Sequence, residues 1–300
     1  MAVRGPVRAR SSRWSRVRVF AGLAVILAAG ACSEDMAPQS LVDKFRVLGV
    51  RADVPEASPG ETVHLDALLA DPLGDGRTVS YLWAACVLGP AANPEDCADP
   101  EAGGIIGIGF TPEFSFVAPA VPEGDVSSQV LVTLLVCAGG TFVLPTVDGG
   151  DISGFPECEG GDGATAYKRV TIGTAAERNH NPAFVDVAVD DTPLGAEPLR
   201  LPACAEGECR ALSVTATAAP DAVETFIEIA FGEPIEREEG VYVSWFATDG
   251  SFERIRSGVD DLQVNWTPPA GAATVDLWFV MHDGRGGTDW RSAQLVLAED

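Results

Sequence analysis

Past residue 42 the chain is a succession of short apolar runs, each closed within about a dozen residues by Gly, Pro, Asn or Asp. No 11-residue window carries a convincing helical stripe. A helix cannot form where turn residues interrupt the chain so often, so the hydrophobic residues must be buried by pairing strands. In the first half the expected strands are 45–52, 62–69, 79–88, 113–117, 130–137 and 166–172. In the second they are 184–189, 212–217, 225–230, 241–247, 262–266, 274–282 and 289–297. Six or seven strands in each half predict an all-β protein of two antiparallel sandwiches.

Two segments align between the halves. Phe116-Val117-Ala118-Pro119 precedes a long apolar run ending in Gly139-Gly140, and Trp266-Thr267-Pro268-Pro269 precedes a similar run ending in Asp283-Gly284-Arg285-Gly286-Gly287. Each reads as an edge strand stopped at Pro, then a central strand, then a glycine hairpin, as a tandem duplication would give. The opening FRVLGVRADVPEASPGETV, the strand YLWAAC with Trp83, and the terminal VMHDGRGGTDW resemble the immunoglobulin-like and PKD-like modules of bacterial surface lipoproteins. The resemblance implies two Ig-like domains at 43–173 and 183–300, joined by a linker at 174–182. Pro182 keeps a strand from running through that linker. Such a fold serves many functions and implies none of them.

The N-terminus reads as an address. Six arginines and no acid lie in the first 31 residues, followed by the apolar stretch 19–29 and the small residues Ala29, Gly30 and Ala31. Eleven helical residues rise about 16 Å, half a hydrocarbon core, so 1–31 is a signal peptide rather than a span. Ala29-Gly30-Ala31-Cys32 resembles the lipobox of bacterial lipoproteins, with Ala29 where that family usually has Leu. The resemblance implies a thioether-linked diacylglycerol on Cys32, an acylated (palmitate-type) amino group, and a tether over 32–42. Ser33, where an Asp would favour inner-membrane retention, implies the outer membrane. Ala29-Gly30-Ala31 also satisfies the A-x-A pattern of ordinary secretion. Cysteine parity favours the lipid: of seven cysteines, removing Cys32 leaves an even six.

Those six are expected to form disulfides. Cys204 and Cys209 enclose four residues including Gly207 and make the firmest pair. Cys86, Cys97, Cys137 and Cys158 allow three connectivities, of which Cys86 with Cys97 and Cys137 with Cys158 is favoured because each bridge pins a long loop leaving its strand. If Trp83 faces the core, a period of two turns Cys86 away from it, unlike the inter-sheet bridge of antibody domains.

Charge limits the partners. The 269 residues after position 31 hold 14 Lys and Arg against 44 Asp and Glu, a formal charge of −30, which repels nucleic acid. Mechanism-bearing motifs are absent: there is no H-E-x-x-H, no G-x-S-x-G and no phosphate loop, and GGIIGIGF at 103–110 reads as a loop. His64, His180 and His282 show no ligand spacing. No cofactor is expected. Asn179 and Asn181 with Asp186, Asp190 and Asp191 faintly resemble the calcium linkers of cadherin-like repeats, while the plainer reading makes them strand terminators and solvated acids. Asp148, Asp151, Glu159 and Asp162, in the insert 147–163, invite the same question; a disulfide-tied flexible loop is the simpler explanation. On strand 274–282, Val275, Leu277, Phe279 and Met281 make one face and Asp276, Trp278, Val280 and His282 the other. Trp278, with Trp290 or Trp245, could stack on a sugar ring unless a neighbouring domain or loop covers that face. The chain thus reads as a non-enzymatic, lipid-anchored envelope module acting in binding or structure, its partner an envelope protein or a glycan. The alternative is a carbohydrate- or calcium-dependent surface adhesin of the same architecture.

Overall fold

The computed structural model describes residues 38–74, 76–88, 104–144, 146–148, 151–153, 156–175, 177–230 and 233–299. The expected signal peptide (1–31), Cys32 with residues 33–37 of the expected tether, and Cys97 lie outside the described residues. Residues 39–300 form one compact unit.

In the first half the strands are β1 (Arg46–Ala52), β2 (Glu56–Ala57), β3 (Thr62–Ala70), β4 (Val79–Leu88), β5 (Ile105–Gly109), β6 (Phe114–Val117), β7 (Ser127–Ala138), β8 (Thr141–Val143), β9 (Thr146–Asp148), β10 (Asp151–Ser153), β11 (Glu157–Glu159) and β12 (Asp162–Gly173). Sheet β1-β3-β6 faces sheet β2-β12-β7-β4-β5, while β8 with β11 forms a two-stranded ladder and β9 with β10 a small hairpin. The second half contains β13 (Phe184–Val189), β14 (Thr192–Pro193), β15 (Leu199–Pro202), β16 (Leu212–Ala218), β17 (Thr225–Ala230), β18 (Glu233–Glu238), β19 (Tyr242–Ala247), β20 (Ser251–Phe252), β21 (Arg256–Gly258), β22 (Gln263–Thr267), β23 (Ala273–His282) and β24 (Thr288–Ala298). Sheet β14-β13-β16-β22-β20 faces sheet β15-β24-β23-β19-β21. In each half the strand opening the fold pairs within one sheet while a short following strand, β2 or β15, crosses to pair in parallel with the last strand of the other. Together with the antiparallel remainder this is the Ig-like arrangement.

Each sandwich is organised around buried tryptophan. Trp83 is wholly buried and stacks on Phe114 with ring centroids 5.7 Å apart. Trp245 meets Phe279 edge-on at 5.7 Å, and Trp266 packs beside Phe252. Each indole N–H finds an acceptor: Thr111 O at 2.9 Å, Ser257 Oγ at 2.8 Å and Asp249 O at 3.3 Å respectively. A large apolar ring can be buried at little cost once its one polar atom is satisfied. Trp245 is therefore core and unavailable to a ligand.

Disulfides join Cys137 to Cys158 and Cys204 to Cys209. Cys86 is disulfide-bonded as well, to a partner outside the described residues. It packs with Leu88 and Leu131 in a cluster separate from the Trp83 core, on the opposite face of β4.

Two expectations need correction. Ile105–Gly109, read as a loop, is strand β5 at the edge of its sheet. Gly107 and Gly109 occupy inward positions because the Phe114 ring fills the space: a Cβ there would lie 3.1 and 2.6 Å from it. The insert 147–163, read as a flexible loop, contributes β9, β10, β11 and the start of β12.

Candidate functional site

The linker is part of the interior. Asn179 is 3% exposed, and the side chains around it draw on both sandwiches. Its backbone N–H donates to Glu56 Oε2 at 3.1 Å, and its side-chain amide donates to Asp283 Oδ2 at 2.8 Å. Two residues on, the Asn181 amide donates to Ala52 O at 2.8 Å while its Oδ1 accepts the N–H of Thr288 at 2.9 Å. An asparagine offers a donor and an acceptor on one planar group, so it can tie two backbones together.

Asp283 is the hub, 1% exposed at the turn between β23 and β24. Its Oδ1 accepts the backbone N–H groups of Arg285, Gly286 and Gly287 at 2.7, 2.9 and 2.8 Å. Only glycine fits the last of these positions, since a Cβ on residue 287 would fall 2.1 Å from Asp283 Oδ2. Beside the hub, the Arg285 guanidinium donates to Glu239 Oε1 at 2.9 Å and Glu56 Oε2 at 3.3 Å, and lies 4.4 Å over the Phe226 ring. Burial pushes the Glu239 carboxyl above its ordinary value, with the Asp283 charge adding to the effect and Arg285 opposing it.

A lysine completes the network from the first sandwich. Lys168, on β12, is 6% exposed, and its ammonium donates to Gly286 O and, at 3.1 Å, to Thr288 Oγ1. Burial lowers its pKa to about 8, partly offset by the Asp283 and Asp66 charges. Thr288 Oγ1 lies 3.4 Å from His282 Nδ1. His282 packs against Tyr242 at 5.1 Å, and burial together with the Lys168 and Arg256 cations depresses it to about 4. On the other side of Asn181, Arg51 bridges Asp66 at 2.9 Å and Asp289 at 3.2 Å and stacks 4.2 Å over Trp290.

Apolar contacts seal the same junction. Val42, Leu48, Ala70 and Val280 are buried together, with Leu68, Phe246, Trp278 and Trp290 packed around them. The β1 register shifts between Val47 and Gly49, and a Cβ on Gly49 would touch Val280 and Trp290 at 3.4 and 3.5 Å. The N-terminal segment crosses here too: Ala247 donates to Ser40 O at 2.9 Å and Val42 donates to Ala247 O at 2.8 Å. Between the sandwiches a groove of about 1030 Å³ remains, bordered by Val47, Tyr167, Arg169, Tyr242, His282 and Arg285.

The five oxygen-bearing residues at the start of the second half are not brought together. Asn179 and Asn181 are in the junction, Asp186 is exposed on β13, and Asp190 and Asp191 form the left-handed turn beyond it, φ 44° and 64°. At about 3.3 Å per extended residue, six-residue β13 alone is about 20 Å long, and Asn181 and the Asp190–Asp191 turn lie beyond its opposite ends. Asp190 instead accepts from Arg210 at 2.7 Å and Ser213 N at 2.9 Å. Asp162 pairs with Arg77 at 2.7 Å. Among the described residues no three His, Cys, Asp or Glu side chains are grouped to hold a metal ion. His64 and His180 are exposed, the latter 2.7 Å from Glu224. Of the tryptophans proposed to meet a ligand, Trp290 is covered by Arg51, and Trp278 is half-buried between the apolar seal and a shallow hollow.

Sequence reasoning missed Lys168, Asp283 and Arg285. The signal for Lys168 was present: it shares a face of β12 with Val170 and Ile172, where an alternating strand keeps its buried residues.

No family model matches the chain, and no curated protein matches it in sequence. Among solved structures, the D0-D1 domain of intimin aligns with 83% of this chain and 98% of its own, at 9% identity and a TM-score of 0.21. Dimeric latent PorU from Porphyromonas gingivalis aligns with 85% of this chain, which spans 24% of that protein, at 10% identity and a TM-score of 0.22. The assignment to the Ig-like fold rests on the sheet order of the chain itself.

Proposed function

We propose that the chain is a non-enzymatic binding or structural module of the cell envelope, held at the outer membrane by lipid on Cys32, with two sandwiches locked into one presenting body. The observation that carries the non-catalytic part is how the junction uses its ionisable groups. Lys168, Arg285, Asp283, Glu56 and Glu239 are each committed to contacts that hold one element against another. A catalytic group needs polar atoms left free for a substrate. Asp283 and Glu239 are buried, and Glu56, Lys168 and Arg285, which also border the groove, have their charged atoms engaged by the protein. Exported proteins also rely on disulfides, in keeping with the three bridged cysteine pairs this reading expects. Membrane attachment rests on the sequence of residues 19–33.

The test is intact mass of detergent-extracted protein, before and after reduction with alkylation. A mass fitting residues 32–300 plus diacylglyceryl and one acyl chain, with six alkylations only after reduction, is the expected result. An unmodified mass with one thiol alkylated before reduction would overturn the anchor.

A further inference from the structure

The outer face of β23 and β24 is covered by the first sandwich around Val280 and Trp290 but emerges from that cover at Trp278. Beyond the cover, four side chains stand in a square fixed by strand register: Trp278 opposite Ser292, and Asp276 opposite Gln294. Cross-strand neighbours are roughly 5 Å apart and same-face neighbours along a strand roughly 7 Å, so the square is about the footprint of one pyranose ring. They line a hollow of about 420 Å³ whose far wall is Gly195, Ala196 and Pro198 of the loop between β14 and β15. Gly195 and Ala196 leave that wall without bulk, and nothing stands within 4 Å of a Cβ placed on Gly195.

The polar groups are arranged to receive a ligand. Gln294 Nε2 donates to Asp276 Oδ1 at 2.8 Å, which fixes both planar groups. Asp276 is anchored from behind by main-chain and side-chain bonds to Thr248, each 3.0 Å. Unlike those of Trp83, Trp245 and Trp266, the Trp278 indole N–H has no protein acceptor among the described residues. A half-buried aromatic surface beside a held carboxylate, an amide and a hydroxyl suits a molecule with apolar C–H faces and hydroxyl edges. Asp276, Glu197 in the adjoining loop and the surrounding −30 charge disfavour an anionic one.

We infer that the Trp278 hollow is a binding site for a neutral sugar ring, stacked on the indole with its hydroxyls donating to Asp276. This names the ligand class for the binding module proposed above, yet it does not depend on the lipid anchor, whose presence the mass measurement decides independently. The test is saturation-transfer NMR and titration calorimetry of the full chain in detergent, against glucose, galactose, mannose, N-acetylglucosamine, their β-linked oligomers, and glucuronic acid. A neutral sugar is expected to bind in the millimolar range or tighter, glucuronic acid at least tenfold more weakly. Asp276→Asn and Gln294→Ala should each weaken binding about tenfold, and Trp278→Ala should abolish it. Trp278 also packs at the junction, so the exposed Gln294→Ala variant keeps the test valid if Trp278→Ala unfolds. Absence of binding across the panel would overturn the inference, as would binding that survives both Asp276→Asn and Gln294→Ala unchanged.

Discussion

Replacing Asp283 with alanine removes the acceptor for three backbone N–H groups of one turn and for the Asn179 amide reaching in from the linker. It also takes away the carboxylate nearest in effect to the buried Lys168 ammonium. An unsatisfied buried donor costs about 1–3 kcal/mol, and breaking a buried charged network by deleting one partner about 3–5 kcal/mol. These costs overlap, because Gly286 and Gly287 can relax together, so the expected loss is about 4 kcal/mol, or roughly 10 °C in Tm for a unit of this size. Urea titration by tryptophan fluorescence gives the free energy, and amide exchange at Gly286, Gly287 and Asn179 locates it. The companion variant Lys168→Met should lose much less, and in the Asp283→Ala background it should recover part of the loss, because the buried ammonium has then gone too. A loss under about 1 kcal/mol for Asp283→Ala, or strict additivity of the two changes, would refute the view that this carboxylate organises the junction.

The pH dependence follows from the same residues. Lys168 is lowered in the fold from 10.5 to about 8, so between those values the unfolded chain binds the extra proton. Stability contributed at this site should therefore rise as pH goes from about 8 to about 10.5, and Lys168→Met should flatten that rise. His282, lowered from 6.5 to about 4, acts with the same sign: stability should fall on acidification through that window, less steeply in His282→Gln. Gly109→Ala should cost about 1–3 kcal/mol through overlap with Phe114, with recovery in a Phe114→Leu background, read by thermal denaturation. In the chain-entropy description, losing the Cys204–Cys209 bridge, which closes 5 residues, should cost about 2 kcal/mol, and losing Cys137–Cys158, which closes 21, about 3 kcal/mol. Double serine variants in chemical denaturation check the ranking.

The alternating runs were legible because burial on one face writes a period of two into the sequence. The strand ending at His282 shows it best: Val275, Leu277, Phe279 and Met281 are all fully buried. β5 escaped because its inward residues are Gly107 and Gly109, placed there to admit a phenylalanine, so the usual signal is inverted. β18, Glu233-Pro234-Ile235-Glu236-Arg237-Glu238, escaped because it pairs only with β17 in an exposed hairpin and needs no apolar face. The junction was illegible for a different reason. Asn179 meets Asp283 across 104 residues and Lys168 meets Thr288 across 120, and such partners leave no local pattern. The face carrying Trp278 was read correctly as facing away from the core, whereas its partial cover by β1 and Val42 depends on how the two sandwiches meet.

The short crossing of residues 40–42 onto Ala247 has a mechanical consequence. Tension entering from the N-terminal side first meets two main-chain hydrogen bonds to the second sandwich, with Arg46 clipped to the carbonyls of Gln39 and Leu41. The clasp closes a loop that contains the whole first sandwich. For a load applied to the second sandwich, the line of force runs from residues 40–42 through Ala247 and bypasses the first. The first sandwich is then loaded only after the clasp has sheared, and it is still held to the second by the junction bonds of Lys168, Arg51 and Glu56.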